Sequence, residues 1–154
     1  MKTRTFISIL ILVLAILIVY DGFAKRRKAI SEEDFFVAFS GTWVNTDYMG
    51  DYGTPQKMIR FPNGTWEDYY KLTDTKPDCY GEYTITEMWT DSKGNIWYKA
   101  HWECLAHGHE ENVYGKIYDS GNTLEYLSAK GDRVIEDWDT DSFLYNHRIY
   151  YRQE

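Results

Sequence analysis

The chain has 154 residues, 44% hydrophobic and 18% aromatic, with only 3 prolines. That length suits one domain, and so many rings with so few prolines argue against a disordered chain. The formal net charge of −7 is unevenly placed: 6 of the 17 basic residues but only 1 of the 24 acids, Asp21, lie in the first 28 positions, which leaves 11 basic and 23 acidic residues, a balance of −12, beyond them. A basic stripe for a phosphate backbone is absent, which argues against nucleic acid as a partner.

Lys2 and Arg4 precede an apolar run from Phe6 to Tyr20 that only Ser8 interrupts. A helix of this length spans about 22 Å, short of the ~30 Å hydrocarbon core and at the upper end for a signal-peptide hydrophobic region. Gly22 and Ala24 place small residues before a cleavage point after Ala24. Residues 1–24 are therefore read as a signal peptide or membrane anchor, 25–34 as a charged linker and 35–154 as the folded domain. The domain is expected outside the cytoplasm, secreted or membrane-anchored. The four positive charges Lys25 to Lys28 leave an alternative open, an anchored domain facing the cytoplasm under the positive-inside rule.

Ser31 to Phe39 is the one stretch with a helical pattern, with Ser31 as its cap and Glu32, Glu33 and Asp34 at its positive end. From Gly41 onward the spacing is period two, with frequent turn signals. Strands are expected at Gly41–Asn45, Lys57–Phe61, Thr65–Leu72, Cys79–Thr90, Asn95–Leu105, Val113–Tyr118, Thr123–Ser128, Arg133–Ile135 and Phe143–Arg152. Pro62-Asn63-Gly64, Asp91-Ser92-Lys93-Gly94 and Asp119-Ser120-Gly121 supply tight turns between them. The fold class is all-β, an up-and-down antiparallel barrel of 8–9 strands or a sandwich, preceded by the amino-terminal hydrophobic helix.

Pairing the fourth and fifth strands with Asp91 opposite Gly94 places Cys79, Gly81, Tyr83, Ile85, Glu87 and Trp89 on one face with Ile96, Tyr98, Ala100, Trp102 and Cys104. Glu82, Thr84, Thr86, Lys99, His101 and Glu103 take the opposite face, as on a barrel wall with solvent outside. Cys79 and Cys104 then lie one diagonal step apart, and a bulge would bring them within disulfide range. A structural disulfide is the favoured reading for an exported protein, and the absence of Cys-x-x-Cys excludes a redox motif.

A helical turn followed by Gly41-Thr42-Trp43 at the head of the first strand resembles the lipocalins and the wider calycin group, and Asn45 makes it equally similar to avidin-type barrels. The resemblance runs in strand order from Phe35 to Arg152 and rests on a three-residue motif. It implies a small barrel holding a small, mostly apolar ligand. It also implies that Trp43 packs across the barrel floor against an arginine of the last strand, Arg152 or Arg148. The second lipocalin motif is not at its matching place.

Several clusters could carry chemistry. Cys104, His107 and His109, with Glu110 and Glu111 behind, are metal-capable, but Ala106 and Gly108 mark a loop, and a Cys104 held in a disulfide is no ligand. Asp137, Asp139 and Asp141 alternate as calcium-loop ligands do, yet Ser142 and Arg148 stand where that loop needs glycine and an acid. Asp68 and Glu87 lie among inward apolar residues, where an acid is costly unless paired. They either orient a polar ligand group, pair with Arg60, or sit at a wet rim. With no hydrolase, zinc-protease or phosphate-loop motif present, the expectation is a non-enzymatic protein without cofactor or bound metal.

The expected function is reversible binding of a small apolar or amphipathic ligand. Its pocket is formed by Trp66, Tyr70, Tyr83, Glu87, Trp89, Tyr98 and Trp102, with Glu87 at the polar end. Partners are that ligand and, if the first segment is uncleaved, the membrane. Two alternatives stand: an interaction module of the cell envelope whose barrel is filled by its own aromatics, and a metal-binding calycin using the His107 loop.

Overall fold

The computed structural model describes residues 27–48, 50, 54–129 and 145–154. The segment read as signal or anchor, the strand expected at Arg133–Ile135 and the triplet Asp137, Asp139 and Asp141 lie outside the described residues. Among the described residues no helix is long and apolar enough to cross a membrane.

Among the described residues one short helix, α1 (Glu32–Phe39), precedes eight strands: β1 (Gly41–Val44), β2 (Lys57–Arg60), β3 (Thr65–Tyr69), β4 (Cys79–Thr90), β5 (Ile96–Cys104), β6 (His109–Tyr118), β7 (Thr123–Ala129) and β8 (Tyr145–Arg152). Each pairs antiparallel with its sequence neighbour, and β8 returns to β1, so the sheet is a closed up-and-down barrel with no free edge. Short turns at β2–β3, β4–β5, β5–β6 and β6–β7 favour this neighbour-to-neighbour order.

The helix forms where its caps allow. The Ser31 hydroxyl accepts from the Asp34 amide at 3.1 Å, and three acids occupy the positive first turn. Phe35 and Phe39, one helical turn apart, are fully buried. They project into the barrel, stacking on each other and meeting Tyr98 at 5.5 and 5.1 Å. At Gly41 the chain turns with φ +133°, and a Cβ there would press on the Arg152 guanidinium, so glycine serves both the conformation and the close approach.

The floor is thus closed by α1. Trp43, fully buried, donates from its indole to Phe39 O at 3.0 Å. Arg152 pairs with Trp43 in the β1–β8 ladder, and its guanidinium lies 4.4 Å from the indole centroid. Arg152 donates to Ser40 O and Gly121 O at 2.8 Å each and also to Ala38 O, supplying donors to carbonyls at the end of the helix. A depression at this end is bordered by Ala38, Asn95, Asp119 and Arg152. The β1–β2 segment, the β3–β4 segment and the β5–β6 turn therefore belong to the opposite end, the mouth.

The largest departures from expectation are the end of β3, the start of β6 and the register of the β4–β5 ladder. β3 stops at Tyr69 because the Tyr70 and Lys71 amides turn to the carboxylates of Asp78 and Asp74, at 2.7 and 2.8 Å. β6 begins at His109, four residues earlier than Val113, because the ladder with β5 continues to Cys104–His109. The β4–β5 ladder follows the expected register from Gly81–Cys104 to Ile85–Ala100, then shifts by one residue between Ile85 and Glu87. That bulge turns over every β4 side chain beyond it.

Candidate functional site

The bulge corrects the wall expected from simple alternation. Beyond it Met88, rather than Glu87 or Trp89, pairs with Tyr98, while Glu87 pairs with Lys99 and Trp89 with Trp97. Glu87 therefore stands outside the barrel, its side chain 47% exposed and paired with Lys99 at 3.0 Å and Arg27 at 3.9 Å. It cannot orient a ligand inside. Trp89 is also on the outer wall, stacked on Trp97 at 6.4 Å and capped by Arg27 at 4.2 Å. It is only 8% exposed because this packing covers it, not because it faces the core. The linker contributes to this cover, since Lys28 and Thr90 exchange backbone hydrogen bonds of 2.8 Å.

The disulfide is present, joining Cys79 to Cys104 with their Cα atoms 6.4 Å apart. No bulge is needed there, because the diagonal already falls within disulfide range. Gly81 sits directly opposite Cys104, where a Cβ would collide with the Glu103 carbonyl.

Inside, the expected aromatic residues divide into two groups. Trp66, Tyr83, Tyr98 and Trp102 do face inward and are buried. Tyr83 meets Phe39 at 5.2 Å and Trp102 at 5.8 Å, and Trp102 meets Trp66 at 5.2 Å. Rings of the wall and of α1 therefore form one connected stack from the floor upward. Tyr70 is separate, half-buried in the mouth segment after β3, with its carbonyl accepting from the Gln56 amide at 3.2 Å. Tyr48 lies against Tyr150 at 5.2 Å, and its hydroxyl accepts from the Ile149 amide at 2.6 Å.

Above the ring stack lies a group of four charges. Arg60, its side chain fully buried, donates to Asp68 at 2.7 Å, with its guanidinium 4.2 Å from the Trp102 centroid and 5.5 Å from that of Trp66. Arg148 approaches Glu111 at 3.6 Å, with both side chains largely buried. Asp68 is thus the partner of Arg60 inside, not a rim residue. Arg148 belongs to this group, and the floor position beside Trp43 is taken by Arg152. Burial raises the Asp68 carboxyl above the usual carboxylate range, against the opposing pull of Arg60 and Arg148. Burial likewise raises Glu111, opposed mainly by Arg148 and reinforced by the Asp68 charge. Two guanidinium groups and two carboxyl groups therefore face one another inside the barrel.

Alternation along Glu111, Val113, Gly115 and Ile117 was the available signal for Glu111, and starting β6 at Val113 hid it. His101, on the outer wall, meets Asn112 at 3.1 Å and Glu110 at 3.6 Å. His107 lies in the β5–β6 turn, with Nε2 3.2 Å from the Asp78 carbonyl. No protein-family model, no curated protein and no solved structure matches this chain.

Proposed function

We propose that this chain is an exported or membrane-tethered barrel of the lipocalin-like, calycin type. It reversibly binds a small apolar or amphipathic molecule through the mouth and carries out no reaction on it. The observation that carries this reading is the unequal chemistry along the barrel: one end is plugged by α1, Trp43 and Arg152, while the interior above holds the buried Arg60 and Arg148, each beside a partly buried acid, over Trp66 and Trp102. Buried ion pairs are poor sources of stability compared with apolar packing. Their placement inside a barrel is better accounted for as recognition of a polar group. Since each arginine already faces an acid, the group they suit is uncharged-polar or zwitterionic rather than a bare anion. The arginine over the floor indole supports the calycin assignment. The apolar run Phe6–Tyr20 and the Cys79–Cys104 bond agree with export.

The test is a tryptophan-emission titration of the full chain with a panel of single-chain amphiphiles bearing zwitterionic, uncharged and anionic head groups. A saturable, one-to-one response in the micromolar range, about −8 kcal/mol, is expected, strongest for the zwitterions and altered by Glu111→Gln. No saturable response across the panel would overturn the reading. The stack from Phe35 to Trp66 supports a second one in that case, a barrel filled by its own side chains that serves as an interaction module.

A further inference from the structure

Cys79, Cys104 and His107 offer three ligand atoms that all lie within 4.8 Å of one another. We propose that this cluster is a redox-gated zinc site, closed to metal while the disulfide stands and open once it is reduced. The inference is independent of what the barrel interior binds.

The ligands are held by regular structure rather than by a flexible loop. Cys79 opens β4 and Cys104 ends β5, and the tight turn that follows brings His107 back over them. That turn is fixed by the Gly108 amide donating to Cys104 O at 2.8 Å and the Leu105 amide to Tyr80 O at 2.9 Å. Gly108 takes φ +65°, which a glycine adopts without strain. The preceding segment is fixed by the Asp78 amide donating to Asp68 O at 2.9 Å. Two sulfurs and one imidazole match the soft, tetrahedral preference of zinc. His107 Nε2 also lies 3.2 Å from the Asp78 carbonyl, a contact that orients the ring beside the two sulfurs. His107 is exposed while both cysteines are buried, so the fourth position opens toward solvent at the mouth.

The gating step balances simply. A dithiol reductant supplies two electrons and two protons, the Cys79–Cys104 sulfur–sulfur bond becomes two thiols, and the reductant becomes a disulfide. Zinc then displaces the two thiol protons to solvent. An oxidising compartment keeps the bond closed, and a reducing one exposes the site.

The experiment uses the full chain in detergent, treated with a phosphine reductant that does not compete for metal, with Co²⁺ as the optical probe and Zn²⁺ in a chelator competition. The reduced chain should bind one Co²⁺ with a thiolate-to-cobalt charge-transfer band and intense tetrahedral d–d bands, both abolished by one equivalent of Zn²⁺. The oxidised chain should lack these bands and bind Zn²⁺ at least about 100-fold more weakly. His107→Ala should weaken binding by the reduced chain about 10- to 100-fold. If the reduced, metal-free chain loses its β-sheet circular dichroism, Zn²⁺ should restore it. Absence of the charge-transfer band, equal Zn²⁺ affinity in the two redox states, unaltered affinity in His107→Ala, or failure of Zn²⁺ to refold an unfolded reduced chain would each overturn the proposal.

Discussion

Replacing Arg152 with alanine tests the closed end of the barrel most directly. The guanidinium donates to Ala38 O, Ser40 O and Gly121 O and lies 4.4 Å from the Trp43 ring centroid. Hydrogen bonds from a charged donor contribute roughly 1.5–3 kcal/mol each where no water can substitute. Arg152 is only partly buried, so about 1 kcal/mol for each is the better figure, with about 1 kcal/mol more for the cation over the indole. Arg152→Ala should therefore remove about 4 kcal/mol. With a urea slope of about 2 kcal/mol/M, the unfolding midpoint should fall by about 2 M. Arg152→Lys keeps the charge but lacks the planar fork that serves several carbonyls, so it should lose about half as much. Equilibrium urea unfolding followed by tryptophan emission measures both, and amide exchange should quicken across α1 in each variant. A loss below about 1 kcal/mol in Arg152→Ala, or a lysine variant as stable as the parent chain, would mean that Phe35 and Phe39 hold the floor without it.

Asp91 organises the β4–β5 turn, accepting from the Lys93 and Asn95 amides and the Trp97 indole at 2.8, 3.0 and 3.0 Å, and these bonds hold its carboxyl down to about 2 despite partial burial. A depressed folded-state value stabilises above the unfolded-state value of about 3.8 and is lost as pH falls toward 2. Asp91→Asn should therefore remove about 1 kcal/mol at neutral pH after screening and flatten the acid limb of stability between pH 4 and 2. At Gly115 a Cβ would enter the Tyr98 ring, which lies across it in the β5–β6 ladder, so Gly115→Val should cost about 1–3 kcal/mol by overpacking. The double variant Gly115→Val with Tyr98→Leu should recover part of that loss, and thermal unfolding would show it.

The architecture was largely legible because it depends on repeating local signals: the turn residues, the two-residue alternation and the Ser31 cap act within a few positions of themselves. Trp43 and Arg152 were legible through a pattern rather than through spacing, since the ladder between β1 and β8 joins the two ends of the domain. The site was less legible for a specific reason. One extra residue near Thr86 carries no compositional mark, yet it moves Glu87 and Trp89 from the lumen to the outer wall. Glu111 was obscured by its neighbours, because His107, His109 and Glu110 gave that segment the polarity of a loop although the ladder runs through it. The pairing of Arg60 with Asp68 was one of three open readings. Only the burial of both side chains separates it from a wet rim.

The route of the chain has a practical consequence. At one end Lys28 is bonded to Thr90 beside the β4–β5 turn, and at the other the Gln153 amide donates to Thr42 O at 2.9 Å. Both termini of the described fold thus leave from the side opposite the mouth. Tethering the described fold to a bead, a sensor surface or a fusion partner at either of these ends leaves the lumen and the cysteine–histidine cluster facing outward. A label placed on the β5–β6 turn would obstruct both.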